Sequence, residues 1–237
     1  MVIQRESHTE FYQRWQDLAR PYFAWQFSQF SSFLGKRVAD LGCGLGNFTD
    51  FLIAKDYYLG IDYDKELLAV AANRFNEKKN VAFTCGDLTD SQSYQKLRAE
   101  RIDTIICVNV LEHIKDDAYV LGQMIDVLPV KGTLCLLVPA MPSIFGALDA
   151  FDHHYRRYSK QGLLSLLQKY PVEINSCYYF NLIGAAGWFV KSKIMKQKTQ
   201  TSDNYTLMNR LIPIMARIEK ALPPPLGMSL IAIMRKK

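Results

Sequence analysis

The chain has 237 residues, 49% of them hydrophobic and 22% charged, with a formal net charge of +6. That is enough apolar material for one well-formed core, and the best membrane candidate, residues 178–190, is too short at 13 residues to cross a bilayer. Five cysteines without a CxxC pair and four histidines without an HxxxH spacing leave no disulfide framework and no zinc signature, so no metal is expected.

The opening MVIQRESHTE lacks the apolar core of a secretory signal, and a cytoplasmic protein is expected. Charge is unevenly placed. Residues 36–140 carry 12 basic and 15 acidic side chains, whereas residues 141–237 carry 14 basic and 5 acidic ones. The second part therefore suits an anionic partner or surface, or simply presents a solvated lysine face.

In chain order, residues 10–34 are an aromatic-rich helical stretch in which Pro21 is expected to start a second helix. From Lys36 to Val138, short β-rich runs (37–41, 57–61, 81–85, 102–108 and 133–138) alternate with amphipathic segments at 46–55, 65–77, about 91–99 and 115–128. Strands separated by helices of this length read as successive βαβ units. A helix over 159–170, capped by Ser159, precedes a strand over 172–180, and a last strand covers 228–234. The sum is one α/β domain over 1–237: a doubly wound, mainly parallel seven-stranded Rossmann-like sheet with helices on both faces. Its parts are an N-terminal helical cap (1–35), a cofactor-binding core (36–140) and a substrate side (141–237) with a basic, apolar insert at 181–227.

Gly42, Gly44 and Gly46 follow the first strand in a GxGxG spacing, where bare backbone lets a ligand press close. Asp40 just before them argues against a pyrophosphate and for a cationic ligand. Asp62 ends the second strand, where this architecture places a carboxylate on ribose hydroxyls, and Asp87 in CGDL can meet an adenine amino group. Ribose, adenine and a positive centre describe S-adenosyl-L-methionine better than NAD or ATP.

With these motifs, residues 36–140 resemble the class I S-adenosylmethionine-dependent methyltransferases of the small-metabolite, ubiquinone-type subgroup. VADLGCGLGNF is similar to the family's glycine motif, YLGIDYDKELLAVA to its ribose strand, CGDL to its adenine-side turn, and DTIICVNVLEHI to its fourth strand. The resemblance implies that Asp40, Gly42, Gly44 and Gly46 flank the methionine part and that Asp62 holds the ribose. It also implies that Asp87 and Leu88 flank the adenine and that Asn109 and Leu111 line the wall beside the sulfonium, with Cys43, Tyr63 and Val110 as neighbours in the same motifs. PVKG stands where the family has a PGG-like turn, a departure confined to a loop.

FDHHYRRYS (151–159) is expected to lie over the mouth of the site. His153, His154, His113 and Tyr155 are the candidate acid–base groups, with His113 read first as a helix-start residue satisfied by backbone. Tyr12, Trp15 and Tyr22 of the cap, Met141 and Phe145 of the loop after the fifth strand, and Arg156 and Trp188 are the candidate acceptor contacts. HYRRYS followed by a long basic, aromatic segment is similar to a bacterial subgroup linked to glycolipid, polyprenyl or secondary metabolism. The implied partner is a small or lipid-like acceptor. Trp188, Phe189, Met195, Met208 and Met215, interleaved with Lys191, Lys193, Lys196 and Lys198, suit an apolar pocket or peripheral contact with an anionic membrane. The rivals are an RNA or protein methyltransferase and a non-catalytic S-adenosylmethionine-binding module. Against nucleic acid, Asn109 is followed by Val-Leu-Glu instead of a base-stacking (D/N)PP(Y/F) motif.

Overall fold

The computed structural model describes residues 8–196 and 202–237, so Lys198 and the side chain of Met208 lie outside what is described. Seven strands form one sheet: β1 (Arg37–Leu41), β2 (Tyr57–Asp62), β3 (Val81–Cys85), β4 (Thr104–Val108), β5 (Thr133–Pro139), β6 (Val172–Phe180) and β7 (Ser229–Lys236). Their order is β3-β2-β1-β4-β5-β7-β6. The first five are parallel, and β7 enters antiparallel between β5 and β6. All seven residues of β5 are buried, as expected of a central strand covered on both faces.

Strand alternation divides the core. Leu134, Leu136 and Val138 of β5 pack towards α4 (Gln95–Ala99), α5 (Asp117–Val127) and α7 (Lys160–Leu167), in the company of Leu97, Val120, Met124 and Leu163. Cys135 and Leu137 point the other way, to Phe23, Trp25, Phe48, Ile212 and Met215 of α1 (His8–Ser28), α9 (Ser202–Ala221) and the chain before α2 (Thr49–Leu52). Of the cysteines, Cys43, Cys107 and Cys135 are buried and Cys85 is exposed, all unpaired.

Three local expectations change. Pro21 does not start a second helix; it lies inside the continuous α1. It is exposed, so the carbonyl of Asp17, also exposed, is left to water rather than orphaned. The helix expected at 46–55 shrinks to α2, because the Asn80 amide takes the carbonyls of Ile53 (2.9 Å) and Lys55 (2.8 Å) and turns the chain into β2. The segment at 91–99 divides into a 3-10 turn (Ser91–Tyr94) and α4. After α3 (Lys65–Arg74), α6 (Ala147–Phe151) and α8 (Leu182–Trp188), the insert continues as a π-helical turn, Phe189–Ile194, before α9.

Candidate active site

The glycine loop stands at the carboxyl end of β1, the ligand-binding edge of a parallel sheet. Gly42, Gly44 and Gly46 have φ of 79°, 52° and 76°, a region where a Cβ is strained. At Gly42 a Cβ would also fall 2.2 Å from Val110 Cγ2, so the loop lies directly against the chain leaving β4. Asp62 closes the loop: its Oδ2 accepts from Gly44 N at 2.7 Å and its Oδ1 from Asp64 N at 3.0 Å. Gly42 N and Cys43 N donate to Ile61 O. No lysine or arginine occurs from Val38 to Leu52, and the Asp62 carboxylate, 8% exposed, stands beside the loop at the end of β2, a donor-and-charge set that fits a cationic ligand carrying a diol.

Asp40 sits elsewhere than expected. It is 1% exposed, accepts from Tyr58 OH at 3.1 Å, and burial pushes its carboxyl up to about 7. It supports the loop from below instead of presenting a charge at its mouth. Cys43 is buried beside it. On the side expected to meet an adenine, Asp87 is exposed, and its Oδ1 accepts from Thr89 N (2.8 Å) and Thr89 Oγ1 (2.7 Å), bonds that hold its carboxyl below the usual range. Tyr63 is 80% exposed, and Leu88 is buried under Tyr94, whose hydroxyl donates to its carbonyl. Asn109 is exposed in the left-handed region with φ 53°, whereas Leu111 turns wholly into the core and forms no wall.

On the acceptor side the structure selects among the candidates. His113 and His154 meet edge to face at 4.6 Å. Asp149, unforeseen from the sequence, is fully buried and accepts from His154 Nδ1 (3.1 Å), Arg157 Nε (2.6 Å), Trp188 Nε1 (3.1 Å) and Gly146 N (2.9 Å). Its only sequence signal was an acid early in a short helix, five residues before a histidine. Glu112 joins the two imidazoles from the 3-10 turn Leu111–His113; it is fully buried, and burial pushes its carboxyl up to about 7. Partial desolvation of its ring and the neighbouring His154 depress the His113 imidazole, although the residue keeps an exposed side.

Other candidates are displaced. His153, at φ 58°, and Tyr155 are exposed and lie outside the Glu112–His113–His154 group, although His153 is near enough for its charge to add to the depression of the His113 imidazole. Arg156 pairs with Asp117 at 2.7 Å and donates to Lys115 O at 2.6 Å, so it pins the loop to α5 rather than reaching for an acceptor. Trp188 lies under the Arg157 guanidinium, 4.9 Å from its ring centre. Tyr22 is not a pocket residue: it packs on Trp25 and Phe180, and its hydroxyl accepts from Asn181 Nδ2 at 3.3 Å. Met141, at φ 61°, and Phe145 remain half-buried beside the loop.

α1 covers the glycine loop. Gln16 Nε2 donates to Leu45 O at 3.3 Å, Arg74 Nη1 to Gln16 Oε1 at 3.1 Å, and Phe23 meets Phe48 at 5.9 Å. Trp15 packs on Phe23 at 4.9 Å. Tyr12, one turn earlier, lies where burial and the charges of Asp152, Asp64 and Asp62 all raise its phenol, and so bridges the loop side and the histidine side. A shallow cavity of ≈ 380 Å³ lies at the opposite end of the sheet, lined by Leu34, Asp103, Pro129, Thr133 and Arg235, with none of these groups.

Residues 39–134 match a family model described as a methyltransferase domain. The ubiquinone biosynthesis O-methyltransferase of Coxiella burnetii is 32% identical over 84 residues, which make up 35% of this chain and 34% of that relative. The chain thus matches about a third of the length of that curated relative. An S-adenosylmethionine dependent methyltransferase from Mesorhizobium loti superposes with a TM-score of 0.60 at 15% identity, covering 90% of this chain and 98% of its own. The [4+2]-cyclase SpnF superposes with a TM-score of 0.59 at 18% identity, covering 94% and 82%. Since a cyclase shares the architecture, the likeness establishes the fold and leaves the reaction to the site.

Proposed function

We infer that this chain, which carries a class I methyltransferase domain, transfers a methyl group from S-adenosylmethionine to an oxygen of a small, largely apolar acceptor. The observation that carries the reading is the left-handed glycine loop locked to Asp62 at the carboxyl edge of the sheet. When bound, S-adenosylmethionine supplies a methyl on a sulfonium, open to in-line displacement. The chain's own task is then alignment, which can remove about 7–11 kcal/mol of a barrier. In this reading the loop backbone and Asp62 hold the donor, Asp87 and Leu88 flank its base, and Tyr12 and Trp15 of α1 exclude water above it.

Oxygen is favoured because a hydroxyl must lose a proton, and the cluster of Glu112, His113 and His154 stands two residues beyond the Val110 contact with Gly42, ready to receive it. The relatives named for ubiquinone biosynthesis support an oxygen acceptor of this kind. Met141 and Phe145 give the acceptor side its apolar character. The test is incubation with methyl-labelled donor and fractionated cell extract, followed by mass analysis of labelled products. Label in an organic-soluble O-methyl product, the methyl ether or ester of a hydroxy compound, is expected; label only in RNA or protein, or none with the donor bound, would overturn the reading.

Peripheral contact with an anionic bilayer is part of this proposal. Ile214 and Ile218 of α9 are 57% and 56% exposed and fall on one stripe at 100° per residue, flanked by Arg210 and Arg217; Leu222, just past the helix end and 72% exposed, is tied to it by its N–H donating to Ile218 O at 2.8 Å. The Glu219 carboxylate accepts from Asn181 N and Leu182 N, both at 2.9 Å, which ties the start of α8, with exposed Leu182 and Ile183, to α9. An apolar surface with a basic flank complements anionic lipid headgroups and would bring the enzyme to a lipid-like acceptor.

A further inference from the structure

Buried polar groups in folded proteins have partners, and the exceptions call for an explanation. Both carboxylate oxygens of Glu112 are exceptions: the residue is fully buried, and among the described residues neither Oε1 nor Oε2 has a hydrogen-bond partner. They are not aimed into hydrocarbon. One of them lies with a ring nitrogen of His113 and one of His154 in a group whose three atoms are all within 4.8 Å of one another.

The two imidazoles are arranged as metal ligands are. His154 gives Nδ1 to Asp149 at 3.1 Å, which fixes its tautomer and leaves Nε2 free, the carboxylate–histidine relay seen behind ligating histidines. Asp149 is itself immobilised by Arg157, Trp188 and Gly146. Both loops are clamped together, since Tyr155 N donates to Glu112 O at 2.7 Å and His154 N to Asp149 O at 2.9 Å. His113 is exposed, so an ion has a way in, and the side chain of His154 is 10% exposed.

We propose that Glu112, His113 and His154 bind one divalent transition-metal ion of the zinc type, with coordination positions left open towards the acceptor side. Two imidazole nitrogens and one carboxylate oxygen favour such an ion over magnesium or calcium, which prefer all-oxygen shells. Ligand bonds of about 2.0–2.2 Å require the three atoms to close in slightly, a side-chain adjustment that exposed His113 can make. Three protein ligands are the number found where a metal keeps an open position for chemistry. The site stands on geometry alone and does not depend on the methyl-transfer reading.

The test uses the full chain stripped with a chelator and titrated with Co²⁺ and Zn²⁺, without donor or acceptor present. One ion per chain is expected, giving visible d–d bands with Co²⁺ that Zn²⁺ displaces. His113→Ala and His154→Ala should each weaken binding at least tenfold, while His153→Ala, adjacent in sequence but outside the trio, should bind as the wild type does. No bands at all, or equal affinity in His113→Ala and the wild type, would overturn the proposal, and exposed His113 is a position whose truncation leaves the core intact. Calorimetry of S-adenosylmethionine on the same variants separates the two readings: metal binding without donor binding removes only the methyl-transfer reading, and donor binding without metal removes only this one.

Discussion

Asp62 does two things with one carboxylate. It ties the glycine loop through Gly44 N and, in the proposed function, receives the donor's hydroxyls. Asp62→Ala should therefore weaken S-adenosylmethionine binding on the order of 100-fold, from two charge-assisted bonds of about 1.5 kcal/mol each; calorimetry checks it, and near-normal affinity would show the donor lies elsewhere. Asp40 gives a pH signature. Its folded carboxyl titrates at about 7 against an ordinary 3.8 because burial penalises the charge. Below the unfolded value both states are protonated and its contribution is complete; as pH rises towards 7 only the unfolded state ionises, so stability is lost across that window. In thermal melts, Asp40→Asn should flatten the decline between about pH 4 and 7 relative to the wild type. At this scale the sequence was informative where backbone conformation dictates residue type, as with the three glycines and Asp62. It was misleading where burial decides: Asp40, Leu111 and Tyr22 each carry plausible motif or surface chemistry, and each is turned inward by packing that no local pattern encodes.

Elements were more legible than residues. The strand runs kept their places to within two residues at either end because each is a short β-branched and apolar run bounded by turn residues. The helix at Ser159 was legible for a local reason as well: Ser159 Oγ accepts from Gly162 N at 3.0 Å, a bond contained within four residues of sequence. Ser159→Ala should cost about 1 kcal/mol of stability, within the 0.5–2 kcal/mol range for lost caps, measurable by chemical denaturation, with S-adenosylmethionine affinity unchanged. The failures, α2 and the continuous α1, have non-local causes. Asn80, 27 residues away, ends α2, and α1 is held straight through Pro21 by contact with α9, nearly two hundred residues later, where Asn209 Nδ2 donates to Leu18 O at 2.6 Å.

For the whole molecule, the excess of positive charge after residue 140 acquires a location. Arg210 and Arg217 border the exposed stripe of α9, Lys191 and Lys193 belong to the turn that continues α8, and Lys196 follows just after it. Sedimentation with phosphatidylglycerol vesicles is expected to retain the wild type at low salt, to release it at high salt, and to lose Ile218→Glu/Leu222→Glu; equal retention of that double variant would sink the bilayer reading. Trp188 connects this surface with the histidines, since its indole and the His154 ring are held by the two oxygens of the same Asp149 carboxylate. Trp188→Phe keeps the ring and removes one donor, so turnover should fall severalfold with S-adenosylmethionine affinity intact, a separation that steady-state kinetics with calorimetry would show. A carboxylate shared in this way works as a mechanical linkage: whatever tilts α8 also re-aims an imidazole, so that under the proposed function contact with a lipid surface would be transmitted to the place where a proton must leave.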